Sequence, residues 1–359
     1  MRPLCTALAL AALAASDARA QAGWTPEIGV RGGFVHVKPA GTARSDQTDA
    51  FDVPGFGYGS VFAVIPVGDR FALEANVVVT QLAVSAPTLL ILLSGTEVNL
   101  GLRADYAITR HAFAALGGQL VYSEAAGEHD TQFGVQAAVG YRAPLSDRLI
   151  ARVEAQLITL ARGRRDALPP VNLYGVLLGL SARAVGHQAP RTGTTPWEPA
   201  LGVAIGYSRT HLSTAGLAAD FILFAVPGTP AAAGVPAPPT MFLIIPLTAR
   251  LALEPGFDIH RTQSGGTTSF AGTVSARVNV AVGPRWYGGM GPALQVIKNT
   301  GGSAFAVAGV GLAWGARFPL TGDLGGRVEL GYAMFKERSG APFAANTLSV
   351  MFGASMPLR

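Results

Sequence analysis

The residues of this chain best suited to chemistry are charges that occur twice. Arg70 and Glu74 in "RFALE" return as Arg250 and Glu254 in "RLALE"; Arg103 in "LRADY" returns as Arg277 in "ARVNV"; Arg152 and Glu154 in "RVE" return as Arg327 and Glu329 in a second "RVE". Residues two or four apart on an extended strand share one face. Each set therefore makes a ladder of opposite charges able to pair across neighbouring strands. The ladder is structural if it neutralises ions that must be kept from an apolar phase. It is functional if it lines an aqueous path and sets ion preference.

The other polar groups offer less. A hydrolase needs a nucleophile, a base and an orienting acid in one place, whereas "EHD" at Glu128 to Asp130 is one dyad whose second-copy counterpart reads "NTGG". Asp46, Asp49 and Asp52 supply hard oxygens without the alternating ligand spacing of a calcium loop, so solvated loop charge is their expected role. No catalytic, cofactor-binding or metal-binding residue is expected, and the chain is not expected to be an enzyme. "RGRRD" at Arg162 to Asp166 is a basic loop whose guanidinium forks suit phosphate. The formal charge of +5 comes without interleaved stacking aromatics, so no nucleic-acid partner is expected.

The elements that must carry the ladder alternate with period two. In "TEVNLGLRADY", Glu97, Asn99, Gly101, Arg103 and Asp105 share one face, and Val98, Leu100, Leu102, Ala104 and Tyr106 the other. "RLIARVEAQL" from Arg148 repeats the pattern. A soluble sandwich alternates too, but it carries more charge on its wet face. Here 49% of residues are hydrophobic and 14% charged, against about 25% charged in ordinary domains. Apolar runs such as Leu89 to Leu93 and Phe221 to Val226 are far shorter than a spanning helix, and 45 Gly with 24 Pro oppose long helices. Strands closed into a barrel satisfy every backbone group in lipid without helices.

Residues 1 to 20 read as a signal peptide: Met1 and Arg2, an apolar run from Leu4 to Ala15, then "DARA" before Gln21. The only cysteine, Cys5, lies inside it. Tight turns at Pro66 to Asp69, Thr109 to Arg110 and Pro144 to Asp147 alternate with longer connections at Lys38 to Phe56, Ser85 to Gly95, Glu124 to Asp130 and Ala161 to Pro170. That asymmetry is the build of an outer-membrane barrel, short side inward. It gives eight strands between Glu27 and Arg183.

The unit is then repeated. "VIPVGDRFALE" at Val64 returns as "IIPLTARLALE" at Ile244, "IGVRGGF" at Ile28 as "LGVAIGY" at Leu201, and "NLYGVLLGLS" at Asn172 as "NTLSVMFGAS" at Asn346. Ordered matches of this length mark an internal duplication. Residues 21 to 185 form the first repeat, 186 to 196 a Pro- and Gly-containing linker, and 197 to 359 the second.

This grammar resembles two copies of the eight-stranded outer-membrane barrels of the OmpA or OmpX type, over nearly all of the mature chain. The resemblance implies the outer membrane of a Gram-negative-type envelope, lipid and lipopolysaccharide as surroundings, and insertion by the barrel assembly machinery. The final strand departs from the type by ending in Pro357, Leu358 and Arg359 instead of an aromatic residue. The fold class is thus an all-β transmembrane antiparallel barrel of about sixteen strands. A single sixteen-stranded barrel is the preferred arrangement, because that size holds an aqueous channel, and it predicts a passive porin-like channel for small solutes or ions. The alternative is two tandem eight-stranded barrels. It is favoured by the long linker and by the apolar residues Val61, Phe113, Ile150 and Leu177 assigned to the lumen face, and it predicts a non-conducting structural, adhesive or anchoring barrel with a plugged interior. The loop from Leu212 to Thr240 fits either an inward constriction or an external position.

Overall fold

Period-two alternation and frequent Gly and Pro leave the strand as the regular element, and the computed structural model is antiparallel sheet throughout its regular regions. It describes residues 23–39, 47–53, 61–86, 91–125, 128–145, 149–165, 169–183, 197–214, 217–225, 238–264, 267–299, 304–321, 324–339 and 343–358. The expected signal peptide at 1–20 and the linker at 186–196 lie outside them.

The first repeat contributes β1 (Glu27–Pro39), β2 (Thr48–Val53), β3 (Val61–Pro66), β4 (Phe71–Ala86), β5 (Ile91–Ala107), β6 (Ala112–Ala125), β7 (Glu128–Pro144), β8 (Leu149–Leu160) and β9 (Val171–Arg183). The second contributes β10 (Ala200–Thr214), β11 (Leu217–Ala225), β12 (Met241–Pro246), β13 (Leu251–Ser264), β14 (Thr267–Ala281), β15 (Trp286–Asn299), β16 (Phe305–Thr321), β17 (Leu324–Ser339) and β18 (Phe343–Pro357). Nine segments replace the eight strands expected per repeat because the second strand of each is in two pieces. The presumed loops Lys38 to Phe56 and Leu212 to Thr240 therefore contain β2 and β11.

At the tight-turn end each repeat closes on itself. β1 pairs β3 (Glu27 opposite Val64) and β9 (Glu27 opposite Arg183), with β3 through β9 paired in sequence between them. β10 likewise pairs β12 (Ala200 opposite Ile244) and β18 (Ala200 opposite Pro357). The protein is therefore two closed eight-stranded barrels, and the preferred single sixteen-stranded barrel gives way to the tandem alternative. The physical reason is that eight strands enclose only enough space for side chains, and the inward residues described below fill it.

The outer ends are stitched together. β2 pairs β1 on one side and β13 of the other barrel on the other, from Val53 opposite Ile259 to Thr48 opposite Ser264. β11 pairs β10 and also β4 of the first barrel, from Phe224 opposite Gln81 to Asp220 opposite Ser85. Followed around the outer rim, the pairing runs β1, β2, β13 through β18, β10, β11, β4 through β9 and back to β1. Sixteen strands ring the outer end, and two eights close beneath it.

The exterior is apolar. Leu100, Leu102, Leu116, Val135, Val153, Leu178, Leu312, Leu330 and Val350 are exposed outward, each out of phase with a buried inward neighbour. Rings collect beside the tight turns: Phe71 lies 5.0 Å from Tyr106, His111 5.4 Å from Tyr141, and Trp286 6.4 Å from Trp314. An apolar band bordered by aromatic residues is the lipid-facing surface of a membrane barrel. No helix of the described residues is long and apolar enough to cross a membrane.

Candidate functional site: the two lumens

In the first barrel, strand alternation turns Glu74 (β4), Arg103 and Asp105 (β5), Arg152 and Glu154 (β8) and Arg31 (β1) into one buried cluster. Arg31 reaches Glu74 and Glu154, both at 2.8 Å. Arg103 reaches Glu74 at 3.1 Å, Asp105 at 2.9 Å and Glu154 at 2.8 Å. Arg152 reaches Glu74 at 2.7 Å and Asp105 at 3.3 Å. Three cations face three anions, each side chain at most 2% exposed. Removing ions from water costs several kcal/mol apiece, which only such dense pairing offsets.

Rings and amides complete the fill. Toward the turn end the Arg152 guanidinium lies 4.7 Å from the Phe62 ring and 4.8 Å from that of Phe113. Below them, Trp24 tucks under the barrel, donating its indole N–H to the Arg70 carbonyl at 3.1 Å and lying 4.1 Å from the Arg142 guanidinium. Arg142 donates to the buried carboxylate of Glu27. Toward the outer end Asn76, Gln119, Gln136 and Gln156 are buried, and Gln156 donates to Gln136 at 3.2 Å. Beyond them, Val35, Val121, Ile158, Leu160, Leu173 and Leu177 pack together. Among the described residues, buried side chains occupy the first lumen at each of these levels.

The second lumen keeps the ionic layer in reduced form. Arg277 bonds Glu254 and Glu329, both at 2.6 Å, and Arg327 bonds Glu254 at 2.7 Å. Tyr287, in the place of Phe113, donates its hydroxyl to Glu329 at 2.7 Å. Asn279 stands for Asp105 and donates to Glu254 at 2.9 Å, while Ala204 stands for Arg31. One cation and one anion are lost together, leaving two against two. The turn-end plug is preserved: the Trp197 indole N–H donates to the Arg250 carbonyl at 3.1 Å, with Arg317 at 4.0 Å from its ring and Phe242 3.5 Å from Arg327.

The layer above is different. Gly256, Ala293, Gly311 and Gly331 occupy the places of Asn76, Gln119, Gln136 and Gln156. The strand registers agree, with Gly101 opposite both Asn76 and Gln119, and Ser275 opposite both Gly256 and Ala293. These residues, with Ala204, line a partly open cavity of about 90 Å³ whose floor is Glu254, Arg277, Arg327 and Glu329. Pro238 and Pro239 also line it, held by Thr240, whose backbone N–H and hydroxyl each donate to Asp258 at 2.8 Å. The described end of the Leu212 to Thr240 segment thus turns inward, while β11 lies in the outer rim.

Of the ten ladder residues, eight sit in these two clusters. Arg70 and Arg250 do not: both are exposed in tight turns, because β4 and β13 begin only at Phe71 and Leu251. Arg70 instead donates to the Tyr106 hydroxyl at 3.2 Å on the outer surface. Of the proposed lumen residues, Phe113, Ile150 and Leu177 are buried, whereas Val61 is out of phase with inward Phe62. In "EHD", Glu128 and His129 are exposed and Asp130 accepts from the backbone of Thr131 at 2.7 Å and Arg165 at 3.0 Å, tying down the basic loop. Asp166 and Asp46 lie outside the described residues; Asp49 contacts His36 at 2.6 Å. Among the described residues no cluster able to hold a metal ion occurs. Arg31, Trp24, Trp197 and Tyr287 belong to the lumens and escaped the ladder argument. The tryptophans had a signal, since "WTPEIGV" and "WEPALGV" open the two repeats alike.

Fold and exterior together define an outer-membrane-type β-barrel protein of two eight-stranded units. No family model matches the chain, and no curated protein matches it. Among solved structures it is similar to Ail, the attachment invasion locus protein of Yersinia pestis, in complex with sucrose octasulfate. That match has 11% identity over 44% of this chain and 96% of Ail, with a TM-score of 0.29. It is also similar to the CymD monoaromatic hydrocarbon channel (8% identity, 94% and 89% covered, TM-score 0.32) and to a Pseudomonas aeruginosa FadL homologue (10%, 92% and 89%, 0.28). Likenesses this distant carry no functional weight.

Proposed function

We propose that this protein is a non-conducting double barrel of the bacterial outer membrane, serving as a structural or surface-interaction element. The observation behind this reading is that each lumen is crossed by an ion-pair layer and plugged at the turn end by a tryptophan and a phenylalanine. An ion traversing either barrel would have to displace buried, paired guanidinium groups, which is costly. The same packing weighs against a passive porin-like channel. Export by the signal peptide and insertion by the assembly machinery follow from an outer-membrane site. The basic loop at Arg162 to Arg165, beside the outer end of β8, suits the phosphates of lipopolysaccharide. The test is reconstitution in planar bilayers. Purified, heat-modifiable protein is expected to give no stepwise current in potassium chloride; regular single-channel steps would refute the reading.

A further inference from the structure

We infer that the second barrel holds a binding site for a small neutral polyol, with the bulk of a monosaccharide, in the lumen above its ionic layer. The cavity lies where the residues of the two interiors differ most in size. Where the first lumen has the large polar side chains of Arg31 in the ionic layer and Asn76, Gln119, Gln136 and Gln156 above it, the second has Gly or Ala, and all five small residues line the cavity. Voids in a packed interior are costly. Here the small residues are contiguous, and Ala204 in the place of Arg31 is matched by uncharged Asn279 in the place of Asp105, so the floor is neutral.

Size sets the class. One buried water needs about 15 Å³ measured this way and occupies about 30 Å³ of liquid, so a cavity of about 90 Å³ accommodates roughly six waters, or about 180 Å³ of ligand. Chemistry narrows it further. The floor sets two guanidinium groups against two carboxylates, so a net ion would enter without a counter-charge. Thr273, Ser275, Thr347 and Ser349 bring hydroxyls to the walls. The buried Nε–H groups of Arg277 and Arg327 have no acceptor among the described residues. Phe242 and Phe335 add apolar ring surface. Hydroxyls that both donate and accept, carried on a small apolar ring, fit this mixture of donors, acceptors and aromatic faces. The Trp197 plug below makes the site blind, so the proposed role is retention of a ligand and does not require passage.

The experiment is saturation-transfer NMR on the folded full-length protein in a detergent without a sugar headgroup, using D-glucose, myo-inositol and glycerol, with acetate and methylammonium as charged probes. Glucose or inositol should saturate and the charged probes should not. In Ala293→Gln/Gly311→Gln, which restores first-copy residues, affinity should fall at least tenfold while heat-modifiability is kept. A Cβ at Gly311 meets nothing closer than 3.9 Å, so the change is tolerable there. If that variant does not fold, Thr347→Val/Ser349→Ala, which removes wall hydroxyls at nearly constant volume, should weaken binding instead. Absence of saturation by all three polyols, preference for a charged probe, or binding unaffected by the variants would overturn the proposal.

Discussion

The second copy's own solution to the ionic layer can be imposed on the first. Arg31 gives its guanidinium to Glu74 and Glu154, and Asp105 receives Arg103 at 2.9 Å and Arg152 at 3.3 Å. Arg31→Met keeps an apolar stem near Phe62, whose ring is 5.0 Å from the guanidinium, but leaves two cations against three anions. Asp105→Asn, the residue found at 279, leaves three against two. Each single change strands a buried charge and should cost about 3 to 5 kcal/mol. The double change restores two against two and should cost only about 1 to 2 kcal/mol, because replacing a whole buried ion pair by residues of similar volume is nearly neutral. The coupling is therefore upwards of about 4 kcal/mol, above the roughly 0.5 to 3 kcal/mol usual for residues of one network. Urea unfolding in micelles resolves this: with a slope of about 2 kcal/mol per molar, each single variant shifts the midpoint down by roughly 2 M and the double variant by less than about 1 M. Additive singles, each costing under about 1 kcal/mol, would mean that water screens the cluster. The closed first lumen, and the non-conducting function resting on it, would then be refuted.

Three further outcomes are expected. Ala83 and Ile222 face each other across the seam between β4 and β11, and the expected mature chain lacks cysteine. Ala83→Cys/Ile222→Cys should oxidise to a cross-link that holds the halves together on a non-reducing gel after proteolysis within 186 to 196; halves that separate would refute the stitched rim. Gly117 approaches β5 so closely that a Cβ would stand 2.1 Å from the Leu102 carbonyl oxygen and 2.4 Å from the Arg103 Cα. Gly117→Val should therefore abolish the heat-modifiable form, whereas Gly118→Ala, with nothing nearer than 3.9 Å, should keep it; a folded Gly117→Val would show that the packing is looser than described. Residues 21 to 185 expressed alone should fold, since β1 and β3 through β9 close without the second repeat, but amide exchange should quicken in the outer halves of β2 and β4. Aggregation of this half without folding would contradict independent closure.

The sequence disclosed the parts whose signal is local. Alternation in β5 separates Arg103 and Asp105 from Leu102 and Tyr106, and the structure buries the first pair and exposes the second. The phase argument misplaced Arg70 because phase says which side a residue faces and not where the strand starts. Arg31 was missed because "VRGGF" pairs it with glycines and no carboxylate follows two or four places on. β2 and β11 were read as loop because each is short and takes one partner from the other repeat, a pairing that leaves no mark on nearby residues. The number of barrels was likewise non-local. It depends on whether inward side chains sum to the volume of eight strands, and Trp24, Phe62, Phe113 and the glutamine layer reach that sum only when placed in three dimensions.

The stitched rim and the unequal lumens have one physical origin in duplication. Two identical closed barrels can trade outer segments at no cost in backbone pairing, since β11 finds on β4 the kind of antiparallel edge that β13 would offer, and β2 finds on β13 what β4 would offer. Such an exchange is a domain swap within one chain, and the linker keeps the partners at high effective concentration. Once the rim binds both barrels into one sheet, neither outer edge is left open in the membrane, and the barrels need not be equally packed to stay assembled. The first retains a filled interior with three paired cations and anions. The second keeps the two pairs that hold its strands together and is free to lose the amide layer above them. This order of dependence makes stability and cavity separable: variants of the first ionic layer should change unfolding and leave polyol binding intact, and filling the second lumen should do the reverse. A ligand response to Arg31→Met/Asp105→Asn in protein that remains folded would break that separation.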